Sequence, residues 1–264
     1  MLKKRLLTAA VGIPFLIGVA YLGGIYWQGL VGLLTAVALA EFFAMMRSKG
    51  FRPYIVPAVF LAFILLFRIQ LASWLPGLFL VGLLLMIIVL VFTYPQRNID
   101  DLALSLFGSV YTGFFFSYAL ALGHADDSFY LLLLVFLLVW ASDAGGYFFG
   151  RIWGKHKLAP RLSPGKTVEG SVGAIVLTIV AALLYRCLPG SVNPQVGVLL
   201  VMAFSFSVAG QLGDLLESAI KRFFEVKDSG HLLPGHGGIL DRFDSFMLVS
   251  PVAYYFLVVL LPNM

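Results

Sequence analysis

The feature that most constrains this chain is a series of continuous apolar stretches, each about 20 residues long. At a rise of about 1.5 Å per residue, a helix of that length crosses a hydrocarbon core about 30 Å thick. The stretches do not alternate between apolar and polar residues, which excludes the strands of a transmembrane β-barrel. Charged residues make up 12% of the chain, against roughly 25% in a soluble domain. We therefore expect an all-α, polytopic integral membrane protein.

The apolar runs between polar or turn-rich breaks predict nine transmembrane helices. The first run lacks a small-residue cleavage site and continues into the second, so we expect an uncleaved helix and not a signal peptide. We expect one membrane domain over residues 1–264, in which spans within 1–125 form a scaffold and residues 126–264 carry the catalytic site. The predicted spans are 7–23, 26–46, 54–72, 74–93, 102–123, 128–149, 171–189, 196–217 and 245–261.

Basic residues fall almost entirely on one side of this predicted topology. Positive charge marks the cytoplasmic side, so we expect a cytoplasmic N-terminus and, after nine spans, an outside C-terminus. The net charge of +5 follows from this topology and does not indicate nucleic-acid binding. The predicted cytoplasmic connections contain 16 of the 18 basic residues: Lys3, Lys4, Arg5, Arg47, Lys49, Arg52, Arg97, Arg151, Lys155, Lys157, Arg161, Lys166, Lys221, Arg222, Lys227 and Arg242.

Three isolated residues are given structural and not functional interpretations. Cys187 is the only cysteine, which excludes an intramolecular disulfide and a thiolate metal site. Glu41 and Arg68 lie in or near the ends of spans two and three, and we expect their side chains to extend to the membrane interface.

The eighth span carries a polar stripe. Ser207, Gln211, Asp214, Ser218 and Lys221 recur at spacings that lie on one face of a helix. An aspartate inside a membrane is costly unless it is paired, hydrated or bound to metal, so Asp214 is a candidate functional residue. Pairing of Asp214 with Lys221 at the interface is the structural alternative.

Two more aspartates, Asp241 and Asp244, open the last span and face the same way if the helix has begun. With Asp214 they would form a carboxylate cluster, and hard oxygen ligands suit Mg²⁺. The alternative is that Asp241 and Asp244 stabilise the helix N-terminus as a cap and first-turn pair.

Between these acids lies a segment rich in glycine and basic residues. Gly237 and Gly238 precede a helix, where backbone N–H groups can bind an anion. Four cations, Lys221, Arg222, Lys227 and Arg242, can contact phosphates. His231 and His236 lack a third nitrogen or sulfur ligand nearby, so we do not expect a zinc site.

The connection near residues 150–170 is a second candidate. Gly165-Lys166-Thr167 is similar to the end of a Walker A loop, but position 160, where that loop has its first glycine, is Pro160. The segment is therefore not a Walker A loop, but Lys166 and the neighbouring hydroxyl groups can bind a phosphate. Asp143, near the inner end of span six, is a further acid that points to the same region.

The run from residue 218 to residue 244 resembles the signature of phosphatidate cytidylyltransferases, also called CDP-diacylglycerol synthases. Segments 142–147 and 154–167 resemble the bacterial branch, with conservative departures in the acidic stretch and at Val168, where tryptophan is usual. Every defined position of the 27-residue signature is matched: Ser218-x-Ile220-Lys221-Arg222-x₄-Lys227-Asp228-x-Gly230-x₂-Leu233-Pro234-x-His236-Gly237-Gly238-Ile239-x-Asp241-Arg242-Phe243-Asp244.

The resemblance implies that CTP and phosphatidic acid react to give CDP-diacylglycerol and pyrophosphate, with Mg²⁺ and a second, monovalent cation such as K⁺. It also implies a homodimer in the bacterial inner (cytoplasmic) membrane, with the active site facing the cytoplasm. Asp214, Asp241 and Asp244 become metal ligands and, with Lys221, the catalytic residues. Substrate binding falls to Asp143, Lys157, Ser163, Lys166, Ser218, Arg222, Lys227, Asp228, His236, Gly237, Gly238 and Arg242.

Residue chemistry is consistent with this reaction, because phosphoryl-type transfer needs positioning and charge neutralisation more than covalent catalysis. His236 is then expected to donate to a phosphate and not to act as a base. Two alternatives stay open. A CTP-dependent kinase for a polyprenol-type lipid would use similar residues but needs a base for a hydroxyl group. An ion-coupled transporter would place its acids near the bilayer midplane in paired half-repeats.

Overall fold

The computed structural model describes residues 2–192, 194–232 and 237–260, in which the chain forms nine helices and one short β-hairpin. The nine helices match the nine predicted spans in order. Two of them, α5 and α9, contain π-helical segments, Val110–Phe114 and Tyr255–Leu260. The helices are α1 (Leu2–Leu22), α2 (Gly24–Ser48), α3 (Ile55–Leu66), α4 (Leu75–Thr93), α5 (Ile99–Leu122), α6 (Ser128–Trp153), α7 (Val168–Tyr185), α8 (Val196–Phe223) and α9 (Leu240–Leu260).

Seven of the described helices, α2 and α4 to α9, are long and apolar enough to cross a membrane. The apolar part of α1, Ala10–Leu22, and the helix α3 are shorter. The predicted third span, 54–72, is therefore too long, because α3 ends at Leu66 and turns follow. Just beyond that end, the guanidinium of Arg68 lies over the rings of Phe114 and Tyr118, and its Nε donates to Ser117 Oγ at 2.8 Å.

The outer surface of the helices is apolar. Along α4 only Gly82 and Met86 are buried, whereas Phe92 is 82% exposed. A contiguous apolar surface of this extent is unstable in water and matches a lipid environment.

Residues 157–167, in the connection near 150–170 for which the sequence predicted no strand, form the hairpin. Strand β1 (Lys157–Ala159) pairs antiparallel with β2 (Ser163–Thr167), and Lys157 lies opposite Thr167. The carboxylate of Glu169, in the first turn of α7, accepts hydrogen bonds from the backbone N–H groups of Lys155 and His156. Glu169 thereby attaches the hairpin to the start of α7.

Close backbone contact between α6 and α7 depends on glycine. A Cβ atom on Gly145 would lie 2.5 Å from the carbonyl oxygen of Gly173, and one on Gly170 would lie 2.7 Å from the carbonyl oxygen of Gly146. Small residues allow membrane helices to approach until their backbones touch. The contact brings the end of α6 against the start of α7.

A similar contact joins α8 to α9. A Cβ atom on Gly213 would lie 2.5 Å from the carbonyl oxygen of Asp244. Because Asp214 follows Gly213 directly, the close approach places Asp214 and Asp244 at the same junction.

We predict that Gly145→Ala destabilises the protein by about 1–3 kcal/mol, the usual cost of forcing an extra group into a packed interior. The added methyl group meets backbone atoms, which cannot rotate away as a side chain can. Stability is measured as the fraction of detergent-solubilised protein that stays monodisperse in size-exclusion chromatography after heating.

Gly32→Ala in α2 is the matched control, because nothing lies within 4 Å of the position that its methyl group would take and alanine favours a helix over glycine by about 1 kcal/mol. Equal melting curves for Gly145→Ala and the control would contradict the backbone contact.

Candidate functional site

One cavity of about 670 Å³ lies where the C-terminal halves of α6 and α8 meet the hairpin and the N-terminal ends of α7 and α9. Its lining includes residues from both connections that the sequence singles out. It also includes Tyr147, Arg151 and Ser171, which were not among the predicted site residues. The predicted site residues in the lining are Asp143, Ser163, Lys166, Asp214, Lys221, Asp228, Asp241, Arg242 and Asp244.

The polar stripe of α8 faces its neighbours in the order that the helical spacing predicts. Deepest in the bundle, the hydroxyl groups of Ser207 and Ser142 lie 2.9 Å apart. Next along the stripe, Gln211 accepts a hydrogen bond from Ser171 of α7. These contacts satisfy the polar groups that the helix carries into the bundle.

The acid of the stripe, Asp214, is paired with the hairpin. Its Oδ2 lies 2.8 Å from Nζ of Lys166, which belongs to β2. Asp143 and Asp244 each lie near enough to Asp214 to experience repulsion from its charge. The cavity lining therefore contains three carboxylates, Asp143, Asp214 and Asp244, of which Asp214 is paired with Lys166.

Asp241 is engaged differently from the other acids. Its Oδ1 accepts from Lys221 Nζ at 2.6 Å, and its Oδ2 accepts from the backbone N–H and hydroxyl of Ser229, both at 2.8 Å, and from the N–H of Gly238 at 2.9 Å. Both oxygens are thus occupied by donors of the protein itself. The metal-ligand role of Asp241 stays a prediction, while its observed contacts hold the segment before α9 in place.

Lys221 lies between two carboxylates. Its Nζ is 2.6 Å from Asp241 Oδ1 and 2.6 Å from Oε2 of Glu217, one turn earlier on α8. Glu217 is 1% exposed and was missed in the sequence, although a glutamate four residues before a lysine is a recognised helical ion pair. The pair keeps Lys221 oriented into the site.

The two glycines before α9, Gly237 and Gly238, lie against the carboxylate of Asp241. Gly237 has a φ of +82°, and a Cβ atom there would lie 2.6 Å from Oδ2 of Asp241. The N–H of Gly238 donates to the same oxygen. Contact of these two glycines with a substrate phosphate stays a prediction, and His236 lies outside the described residues.

Four other predicted substrate contacts, Lys157, Ser218, Arg222 and Lys227, are not in the cavity lining. Lys157 on β1 and Lys227 after α8 are exposed, and Ser218 is half-buried on α8. Arg222 donates through Nε to the carbonyl oxygen of Leu162 at 3.3 Å, which connects α8 to the hairpin turn.

The interpretation of Glu41 as a side chain extending to the interface is wrong. Its carboxylate is buried and accepts hydrogen bonds from the backbone N–H groups of Ile239 and Leu240, at the start of α9. A buried carboxylate is stable only where donors replace its water, and the unbonded N–H groups of a helix start supply them.

Within the three described ranges, no group of three His, Cys, Asp or Glu side chains is placed to hold a metal ion. Mg²⁺ does not require one, because it keeps several waters and is usually held by one or two carboxylates together with substrate phosphates. Asp214 and Asp244, both in the cavity lining, meet that requirement.

Comparison with known proteins gives a match over almost the whole chain. Residues 3–260 match the model of the Cytidylyltransferase family. The phosphatidate cytidylyltransferase of Staphylococcus haemolyticus is 39% identical over 258 residues, covering 95% of this chain and 97% of the relative. That of Bacillus subtilis is 36% identical over 269 residues, covering 97% of each chain. That of Staphylococcus aureus is 38% identical over 260 residues, covering 95% of this chain and 97% of the relative.

We predict that Asp241→Asn loosens the segment between α8 and α9. The amide loses the charge opposite Lys221 and one of its oxygens, and a hydrogen bond to a charged group contributes about 1.5–3 kcal/mol. Trypsin cleavage after the exposed Lys227 should therefore be at least about tenfold faster than in the unchanged protein.

Asp126→Asn is the control, because it removes an exposed carboxylate outside the segment between α8 and α9 and leaves the residues around the cleaved bond unchanged. Cleavage that is no faster in Asp241→Asn than in this control would show that the Asp241 contacts do not hold the segment.

Proposed function

This chain belongs to the cytidylyltransferase family, in the branch of the phosphatidate cytidylyltransferases, and we propose that its cavity joins CTP to phosphatidic acid. The products are CDP-diacylglycerol, a precursor in phospholipid biosynthesis, and pyrophosphate. The observation that carries the proposal is the convergence of three carboxylates with Lys166, Lys221 and Arg242 in one cavity at the ends of apolar helices.

In the proposed reaction a phosphate oxygen of phosphatidic acid attacks the α-phosphorus of CTP. A new P–O bond forms, the bond from the α-phosphorus to the bridging oxygen breaks, and pyrophosphate leaves with the electron pair. Because the attacking oxygen is already anionic, no side chain has to remove a proton. The main obstacle is repulsion between two anionic substrates, which positioned cations reduce.

Basic side chains of the cavity suit that task. Lys166 reaches the cavity from the hairpin, and Lys221 is held between two acids from α8 and α9. Arg242, at the start of α9, offers a planar guanidinium for bidentate contact with phosphate. Three cations from three elements can contact both substrates at once.

Mg²⁺ fits the acids of the site. Asp143, Asp214 and Asp244 repel one another, and a divalent cation would relieve that repulsion. We propose Asp214 and Asp244 as its ligands, with Asp143 nearby. When bound, the metal would neutralise charge on the phosphates of the nucleotide. The second, monovalent cation stays an implication of the family resemblance.

A route for the lipid is suggested by the rim of the cavity along α6. Tyr147 and Arg151 line the cavity, with Nη1 of Arg151 donating to the Tyr147 hydroxyl at 2.8 Å. Phe148, Ile152 and Trp153 beside them are more than half exposed. Acyl chains would lie along these apolar side chains while the headgroup reaches the cations.

We also propose that the cavity faces the cytoplasm, with the N-terminus inside and the C-terminus outside. The support is the charge asymmetry of the connections, because lysine and arginine are enriched in cytoplasmic loops. The hairpin, which carries basic residues, lies at the same helix ends as the cavity. Assembly into a homodimer stays a prediction.

We predict that the protein in detergent, given labelled CTP, phosphatidic acid and Mg²⁺, produces a CDP-lipid and pyrophosphate. A lipid kinase would release CDP instead, and a transporter would consume no CTP. Chelation of Mg²⁺ should abolish turnover, because repulsion between the substrates is then uncompensated. Chromatography of the labelled products distinguishes the three classes.

We predict that Asp214→Asn and Asp244→Asn each lower kcat/KM by about 100-fold, the scale of losing one preorganised electrostatic contact. Asp126→Asn, an exposed acid in the connection between α5 and α6, should retain full activity. Near-normal turnover in either cavity variant would remove that residue from the proposed metal site.

The orientation is tested with the single natural cysteine. Cys187 is exposed and follows α7, so in the proposed topology it lies on the outer side. A membrane-impermeant maleimide should label it in intact cells. In a Cys187→Ser background, Lys155→Cys beside the hairpin should be labelled only after permeabilisation. The reverse pattern would invert the topology.

A further inference from the structure

The start of α9 is held by a carboxylate from the opposite end of the sequence. Glu41 belongs to α2, in the N-terminal scaffold, and is 8% exposed. Its Oε1 accepts the N–H of Ile239 at 2.8 Å, and its Oε2 accepts the N–H of Leu240 at 3.0 Å and the hydroxyl of Ser229 at 3.2 Å. All three donors belong to the start of α9 and the segment that leads into it.

Helix α9 needs such a partner. The residue before its first turn is Ile239, whose apolar side chain cannot accept a hydrogen bond from the helix start. The first N–H groups of a helix have no partner within the helix, and they carry the positive end of its dipole. A carboxylate from a neighbouring helix satisfies both the hydrogen bonds and the charge.

The segment before α9 is held from two sides, by Glu41 and by Asp241, and we call these contacts the clamp. The single hydroxyl proton of Ser229 is shared between Asp241 Oδ2 at 2.8 Å and Glu41 Oε2 at 3.2 Å, so one side chain lies between the two carboxylates. A Cβ atom on Gly230 would lie 2.7 Å from Glu41 Oε1, and one on Gly238 would come still closer to Glu41 Oε2. Only glycine lets the backbone approach the acid this closely at both positions.

The clamp bears on the site because the first turn of α9 presents Asp241, Arg242 and Asp244 to the cavity. Glu41 itself lies outside the cavity lining. We propose that Glu41 is a positioning residue, which sets the start and orientation of α9 so that Arg242 and Asp244 meet the substrates. This inference rests on the proposed cytidylyl transfer for its effect on activity, but its structural part is independent of the reaction.

The test compares Glu41→Gln with Thr35→Val in the detergent-solubilised full-length protein. Glutamine keeps the shape but replaces one acceptor oxygen with a donor that faces backbone N–H groups. Thr35 lies on the same helix, is fully buried, and donates its hydroxyl within α2, to the carbonyl oxygen of Val31. Valine at that position therefore matches the loss of a buried polar contact without touching the clamp.

Two readouts are measured. Amide hydrogen exchange of the peptide containing Ile239 and Leu240, without substrate, should be about tenfold faster in Glu41→Gln and unchanged in Thr35→Val. The kcat should fall about tenfold in Glu41→Gln with a KM for CTP within about twofold, since a misplaced α9 affects the transition state more than initial binding. Glu41→Asp, which retains both acceptor oxygens, should recover part of the kcat.

Unchanged exchange and kcat in Glu41→Gln would overturn the proposal. So would equal losses in Glu41→Gln and Thr35→Val that follow their melting temperatures, because the role would then be only structural. If Glu41→Gln is not recovered as a monodisperse protein, Ser229→Ala decides by the same two readouts, with unchanged values again overturning the proposal. Failure of the unchanged protein to form a CDP-lipid would refute the proposed function, while the exchange result would still report on the clamp.

Discussion

Charge compensation among buried acids organises the part of this protein around the candidate site. The cavity and its surroundings contain Asp143, Asp214, Glu217, Asp241 and Asp244, and an isolated buried carboxylate costs several kcal/mol or more in such an environment. The observed pairings reduce that cost, and two of them also join separate elements. The Lys166 pair attaches the hairpin to α8, and the Lys221–Asp241 pair attaches α8 to the first turn of α9.

The acids differ in how fully their charges are compensated, and this difference separates structural acids from candidate functional ones. Asp241 and Glu41 have donors on both oxygens, so they act as fixed points of the structure. Asp143, Asp214 and Asp244 share a cavity in which their charges repel. A group of acids with only partial compensation, next to Lys166, Lys221 and Arg242, is where a divalent cation and the phosphates of a nucleotide lower the energy most.

Glycines at the helix contacts make these pairings possible, because they let the backbones of neighbouring helices touch. Gly145 and Gly173 bring α6 and α7 into backbone contact, and Gly213 does the same for α8 and α9. Lipid tails are as apolar as the helix surfaces, so close packing and polar contacts take the place of the hydrophobic effect in holding membrane helices together. The functional side chains therefore lie on the elements whose relative positions are most tightly set.

Much of the helical fold and part of the candidate site could be predicted from local sequence patterns alone. The number and order of the helices follow from apolar length, and the face of α8 that carries Gln211, Asp214 and Lys221 follows from the helical repeat, because both depend on residues near one another in the chain. The family signature between residues 218 and 244 indicated the candidate site in the same way. The hairpin and the early end of α3 were missed. The structure shows contacts with another element at both places, from Glu169 of α7 to the residues before the hairpin and from Arg68, just after α3, to aromatic side chains of α5, and a local pattern does not reveal such contacts.

What only the tertiary structure decided is which acid meets which partner. Asp241 was grouped with Asp244 because the two can face the same way at the start of the last span, and with Asp214 as a third acid, yet its oxygens face Ser229, Gly238 and Lys221. Glu41 was assigned to the interface, yet it binds a backbone group 198 residues away. A carboxylate has no preferred partner until the fold brings donors to it, so the sequence by itself determined where the charges lie along the helices, and the packing determined which of them support the structure and which remain for the substrates.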